Sequence, residues 1–299
     1  MAARDKSKKK NAAGFTKRQL KLLLYYCYST RENPKMSITK IHKKCGTYLR
    51  RKSTEDAVNK AYARKVITGP ELFVNSGIEV SLMNDVDNPR KVFEDCKNDP
   101  MTSFAVISHG YWPILLCKVG ANTLQYYDSI LPSKGCTFDK DIKRIFFEEK
   151  GTLPTDSYPH RWYEEHWNTY RCLKYPRNIT FREAEKKLNI NWVSVRQYFL
   201  EILKQCKVMT NLFPLGAEAY SPLLITLKTK YEIGIVRGLK TLDRTSYLYK
   251  AENTLILLIG TNPIPRAQNH LADKFQRLED VGLISDLHIS TPIDWHRAF

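Results

Sequence analysis

The 299-residue chain has no apolar stretch long enough to cross a bilayer. Its aliphatic runs, such as Leu255-Ile256-Leu257-Leu258-Ile259, fall far below the roughly 20 residues a spanning helix needs. The charged N-terminus is not followed by an apolar h-region, so a secretory signal is not expected. None of the 7 cysteines (Cys27, Cys45, Cys96, Cys117, Cys136, Cys172 and Cys206) stands in a C-x-x-C pair. Scattered thiols fit a reducing cytoplasm and argue against a disulfide framework or a zinc site. There is no H-E-x-x-H, no Walker A loop and no G-x-G-x-x-G. Acid is scarce at the front: residues 1–65 hold 19 Lys and Arg against 4 Asp and Glu, an excess of 15 within a net charge of +17. Such a block suits a polyanion, because phosphate neutralisation supplies most non-specific DNA affinity. With 42% hydrophobic residues, the remainder can bury real cores.

What is present is an internal repeat. Lys65-Val66-Ile67-Thr68-Gly69 recurs as Lys207-Val208-Met209-Thr210-Asn211, Thr102-Ser103-Phe104 as Thr245-Ser246-Tyr247, and Ile114-Leu115-Leu116 as Ile256-Leu257-Leu258. All three matches keep their order and nearly the same offset, which marks two tandem copies of one unit. Residues 1–14 read as a disordered basic arm. The copies divide into 15–76 and 77–150, then 155–215 and 216–299, joined near Gly151-Thr152-Leu153-Pro154.

The front of each unit reads as helices. Thr16 caps a helix with Leu20, Leu23, Leu24 and Cys27 on one face, and Ser37 caps a second with Ile38, Ile41 and Cys45 inward. Gly46 permits the next turn. A third helix runs to about Arg64, its start left open by the capping-like Ser53 and Asp56. In the second copy Thr180 caps a helix with Phe181, Ala184 and Leu188; Asn189-Ile190-Asn191 makes the turn; a longer helix starts at Trp192. A short helix, a three-residue turn and a longer helix form the helix-turn-helix pattern, whose second helix fits the major groove. Expected DNA-facing residues are Lys40, Lys43, Lys44, Arg50, Arg51, Lys52, Thr54 and Lys60 in the first copy, and Arg182, Trp192, Ser194, Arg196 and Gln197 in the second.

The back of each unit reads as a small α/β layer. In the first copy, strands at 78–82, 104–108 and 114–119 accompany a helix at 88–98, with a further helix and a weak strand to follow. In the second, strands at 223–227, 246–250, 255–259 and 284–289 accompany helices at 231–239 and 266–280. The order βαββαβ is ferredoxin-like. The fold class expected is therefore α+β, two copies of a winged helix-turn-helix followed by a ferredoxin-like domain.

This combination resembles the Lrp/AsnC family of bacterial and archaeal regulators, duplicated in one chain. Lys65 to Pro70 looks like that family's wing, and Phe104 to Val119 like its central hairpin. The resemblance implies pairing of the α/β domains, as a pseudo-dimer within the chain or a homo-oligomer. It also implies an amino-acid effector, which the hairpin turn argues against: Gly110 is followed by Tyr111-Trp112-Pro113 with no Asp. The reading that follows is a non-enzymatic, cytoplasmic, nucleoid-associated transcription regulator. It binds double-stranded DNA, with no membrane partner, cofactor, metal or catalytic residue.

Two alternatives stand beside it. One is a non-specific architectural chromatin protein. The other is a tetrapyrrole-modifying enzyme of siroheme decarboxylase type, because those enzymes resemble paired or duplicated Lrp-like units; His109, beside the hairpin turn, is the first residue that reading points to. His160 and His166, six apart with Glu164 and Glu165 between them, do not share a helix face as a metal pair would.

Overall fold

The computed structural model describes residues 11–46, 48, 50–136, 138, 149–262 and 265–298. Residues 1–10 of the expected basic arm lie outside them. Residues 11–14, expected in the same arm, are docked: Arg64 Nη1 donates to Ala13 O at 2.7 Å, Lys60 Nζ to Gly14 O at 2.8 Å, and Asn11 Nδ2 to Pro214 O at 2.6 Å.

The first two helices form where the caps place them. Thr16 and Gln19 make a capping box at the start of α1 (Lys17–Glu32), whose Leu20, Leu23, Leu24 and Cys27 are buried. Ser37 accepts from Lys40 N to open α2 (Ile38–Cys45), and Gly46 ends it in left-handed geometry at φ 57°. Helix α3 (Arg51–Ala63) begins without a side-chain cap, ahead of both Ser53 and Asp56. In the second copy α5 (Glu164–Leu173) precedes α6 (Phe181–Leu188) and α7 (Trp192–Leu203). Thr180 and Glu183 box the start of α6, Asn189 turns the chain at φ 54°, and Asn191 caps α7.

Strand β1 (Ile67–Phe73) follows the first helix set, and β6 (Lys207–Leu212) the second. They pair with each other, antiparallel, with Ile67 opposite Leu212 and Leu72 opposite Val208. The segment expected as a wing at Lys65 to Pro70 thus enters a ribbon shared by both copies. Gly69 is needed there: at φ +85°, a Cβ would lie 2.5 Å from Met209 O. Helix α1 packs on the ribbon, so one core joins Leu20, Leu23 and Ile41 to Ile67 of the first copy and Leu212 of the second.

The remaining strands make one eight-stranded antiparallel sheet. They are β2 (Ile78–Met83), β3 (Thr102–Gly110), β4 (Ile114–Val119), β5 (Leu124–Ile130), β7 (Ser221–Lys228), β8 (Ser246–Ala251), β9 (Thr254–Thr261) and β10 (Ser285–Arg297), in the order β2-β4-β3-β10-β7-β9-β8-β5. The second copy's quartet, β10-β7-β9-β8, has the ferredoxin-like order. The first copy keeps β2-β4-β3, but a turn at residues 120–123 leads from β4 straight to β5, which crosses to pair with β8. In return β10 pairs with β3 as well as its own β7. The last strand of each copy therefore pairs with the second strand of the other, and β10 keeps its own β7 as well.

The sheet curls until its two edge strands meet: Val80 N donates to Thr123 Oγ1 at 2.8 Å, and Asn75 Nδ2 to Leu124 O at 2.9 Å. Helices α4 (Pro89–Asn98), α8 (Glu232–Leu239) and α9 (Pro265–Asp280) lie on the outer face. There Phe93 packs with Ala105, Ile107, Ile114 and Leu116, and Ile235, Leu271 and Phe275 pack with Ile225, Leu257 and Ile259. The inner face gathers Val106, Leu115, Tyr127, Leu224, Tyr249, Ile256 and Leu258, with Phe73 and Met209 from the ribbon against them. Each fully buried Leu or Ile of these cores is worth about 1.5–3 kcal/mol relative to leaving it in water. No helix among the described residues is long and apolar enough to cross a membrane.

Candidate functional site

On the first helix-turn-helix, Lys40, Lys43 and Lys44 are exposed on α2, and Arg50, Arg51 and Lys52 are exposed at the start of α3. Lys52 is shared with Glu55 at 3.8 Å and Asp56 at 3.4 Å on its own helix. Two of the expected DNA-facing residues point elsewhere. Thr54 is buried and meets His42 Nδ1 at 2.9 Å, locking α3 onto α2, and Lys60 donates to Gly14 O and sits over the Phe15 ring.

On the second helix-turn-helix, Arg182, Arg196 and Gln197 are exposed, Ser194 is half-buried, and Gln197 is tied to Glu201 at 2.7 Å. Trp192, Val193 and Leu200 leave large apolar areas in the open along α7. The helix that would read bases is thus much more apolar than its counterpart. His166 is buried against Glu201, with Nε2 to Oε2 at 2.9 Å. Among the described residues no cluster of His, Cys, Asp and Glu has the make-up of a metal site.

The α/β half concentrates reactive and aromatic groups at one mouth of the curled sheet. The turn from β3 to β4 folds onto β10, and Gly110 makes this close approach possible. Its φ is +122°, and a Cβ there would lie 2.8 Å from Ile289 O. The turn carries Tyr111 and Trp112. The Tyr111 ring lies parallel to the His288 imidazole at 3.7 Å, and Trp112 meets the same imidazole edge-on at 5.7 Å. Trp112 Nε1 donates to Thr226 Oγ1 at 2.8 Å, and its main-chain N donates to Ser290 Oγ at 2.9 Å.

Strand register fixes the facing of these groups. His288 is paired with Thr226, Ser290 with Gly110, and successive side chains alternate, so Thr226, His288, Ser290 and Ser108 share one face. His109 falls on the other. The histidine at the mouth is His288, supplied by the long β10, and not the His109 that the sequence singles out. At the rim Lys228 and Asp286 pair at 2.7 Å, and Lys228 holds the Asp286 carboxyl below its ordinary range, with His288 adding a smaller pull.

Deeper between sheet and ribbon, Glu71 takes Arg297 at 2.5 Å and Lys174 at 3.7 Å. Tyr127, Tyr247 and Tyr249 surround this pair. Burial pushes all three phenols up, Tyr247 to about 12. The group is structural in character: it binds the end of β10 to the ribbon and to the helix pair behind it. An apolar cavity of about 10 Å³ between α8, α9 and β9, lined by Ile235, Leu239, Ile259, Leu271 and Phe275, has room for one water and no polar partner.

These features define an α+β chain of two helix-turn-helix units on one curled sheet shared by both copies. No family model matches the sequence, and no curated protein matches it. Among solved structures the fold is that of the siroheme decarboxylase NirDL. The two chains superpose with a TM-score of 0.51 at 9% identity, over 92% of this chain and 91% of that one. NirDL in co-complex with an iron-uroporphyrin III analogue aligns at a TM-score of 0.49 and 8% identity, over 86% and 85%. The likeness confirms the tandem α+β architecture. It also corrects the expectation of a non-enzymatic chain, since the structure that shares this fold end to end is that of an enzyme.

Proposed function

We propose that the chain is an enzyme that binds a tetrapyrrole bearing carboxylate side chains and decarboxylates it. The observation that carries this reading is the correspondence with the siroheme decarboxylase over 92% of this chain and 91% of that one. The mouth of the curled sheet supplies suitable chemistry. Tyr111 and His288 lie in parallel planes that suit a flat macrocycle, and Lys228, Ser290 and Thr226 bring a cation and hydroxyls for its carboxylates. In the reaction the bond between a carboxylate and its side-chain carbon breaks, carbon dioxide leaves, and the electron pair stays on that carbon. A proton must then be delivered to it. Histidine is the commonest side chain in such proton transfers, and His288 is the histidine at the mouth, so it takes that role. The test is incubation with siroheme, read by mass spectrometry for loss of carbon dioxide and repeated with His288→Ala. Turnover by the native chain that is abolished in the variant supports the reading. A substrate that binds and is returned unchanged contradicts it.

One further observation favours a second activity of the same chain. Lys40, Lys43, Lys44, Arg50 and Arg51 are exposed together on the two helices of a formed helix-turn-helix, where duplex DNA would meet them. A salt titration of binding to duplex DNA tests it. Absence of binding at low salt removes it.

A further inference from the structure

The mouth described above is covered, and its cover has an unusual attachment. Both N–H groups of Trp112 are held by side-chain hydroxyls of the other copy, Ser290 and Thr226, each almost completely buried. A third hydroxyl, Ser108 Oγ, lies on the same face, is itself buried, and has no hydrogen-bond partner. A buried polar atom without a partner is uncommon and calls for an explanation. An N–H can only donate, whereas a hydroxyl either accepts or donates. The row that now accepts from Trp112 is therefore equally able to donate to a carboxylate. Each such neutral hydrogen bond is worth about 0.5–1.5 kcal/mol net, so the cover is held firmly enough to be ordered and weakly enough to be exchanged.

We infer that Trp112 is a placeholder. Its indole occupies the place taken by the edge of a planar aromatic ligand, and the row Ser108, Ser290 and Thr226 is where that ligand's carboxylate side chains dock. Binding swings the turn 110–113 away from β10, frees Thr226 and Ser290, and gives Ser108 the partner it lacks. Tyr111, about half exposed and already parallel to His288, marks the plane in which the ring settles. This inference rests on the tetrapyrrole reading and names the part of the mouth that recognises the ligand.

The experiment is an absorbance titration of the full chain with iron uroporphyrin, run on the native protein, on Trp112→Ala and on the double variant Thr226→Val with Ser290→Ala. Circular dichroism confirms that each is folded. Removing the placeholder should tighten binding several-fold, and removing the hydroxyls should weaken it by about tenfold or more, the value of one to two charge-assisted hydrogen bonds. Equal affinity in all three overturns the placeholder and leaves the tetrapyrrole reading in place, with the ring bound elsewhere. No binding by any of them overturns both.

Discussion

Arg297 Nη2 donates to Glu71 Oε2 at 2.5 Å, joining residues 226 apart in sequence. Arg297 ends the strand that the second copy lends to the first copy's sheet, and Glu71 sits in the ribbon where the two copies meet. One ion pair thus holds the strand that bridges the two copies, the ribbon and, through Lys174, the second helix set. Burial acts against the Arg297 charge, and the Glu71 carboxylate more than restores it, so the guanidinium lies above its ordinary value. Replacing Glu71 by Gln should leave Arg297 and Lys174 without their anion. Arg297 still touches water, so the cost falls below the roughly 3–5 kcal/mol of a fully buried pair, at about 2 kcal/mol. Urea unfolding measures it, and a cost under about 0.5 kcal/mol would mean the pair is a solvated surface contact.

Gly110→Ala should disturb the mouth without touching its chemistry. The new Cβ would sit 2.8 Å from Ile289 O in a backbone conformation that suits glycine. A cost of about 1–3 kcal/mol and a detached turn follow. The readout is Trp112 fluorescence, isolated by difference against Trp112→Phe, which should report a wetter indole.

Lys35 gives a pH signature. Its amino group donates to Ile179 O at 2.6 Å and sits over the Phe181 ring at 4.5 Å, bridging the first helix set to the second. Burial, with repulsion from Arg177 added, lowers it from 10.5 to about 8. Between those values the unfolded chain holds a proton that the folded chain has released, so stability rises with pH across the window and is flat below it. Lys35→Met should remove that rise. Parallel stability curves for the two proteins would contradict it.

For the duplex reading, Arg50, Arg51 and Lys52 changed together to Ala should lower the slope of log affinity against log salt. The expected drop is about 0.9 for each phosphate no longer neutralised, so about 2–3 in all. An unchanged slope would place DNA elsewhere or nowhere.

The sequence announces its helices through their ends. Thr16, Ser37 and Thr180 stand where side chains cap the first turn, and Gly46 and Asn189 where the chain must turn left-handed. Helix α5 is hidden because Tyr163 before it is not a capping residue type, and its aromatic, charged stretch suggests reactive side chains instead. Strand β5 is barely visible: Leu124-Gln125-Tyr126-Tyr127-Asp128-Ser129-Ile130 lacks aliphatic alternation, and its inner face carries Leu124 and Tyr127. The repeat shows that there are two copies, but not that they lend each other a strand. That choice depends on pairing between segments more than 100 residues apart, such as β5 with β8, which no local pattern encodes. For the same reason His109 stands out in the sequence and His288 does not. The mouth is assembled from a turn of one copy and strands of the other, so His288 meets Tyr111 only once β10 has paired with β3.

The most direct test of the account is to mix the purified chain with siroheme and follow the absorbance of the macrocycle together with the mass of the product. The account predicts a shifted spectrum on binding and a product lighter by carbon dioxide, with product formation abolished by His288→Ala. An unshifted spectrum, or a bound siroheme recovered intact, would contradict it.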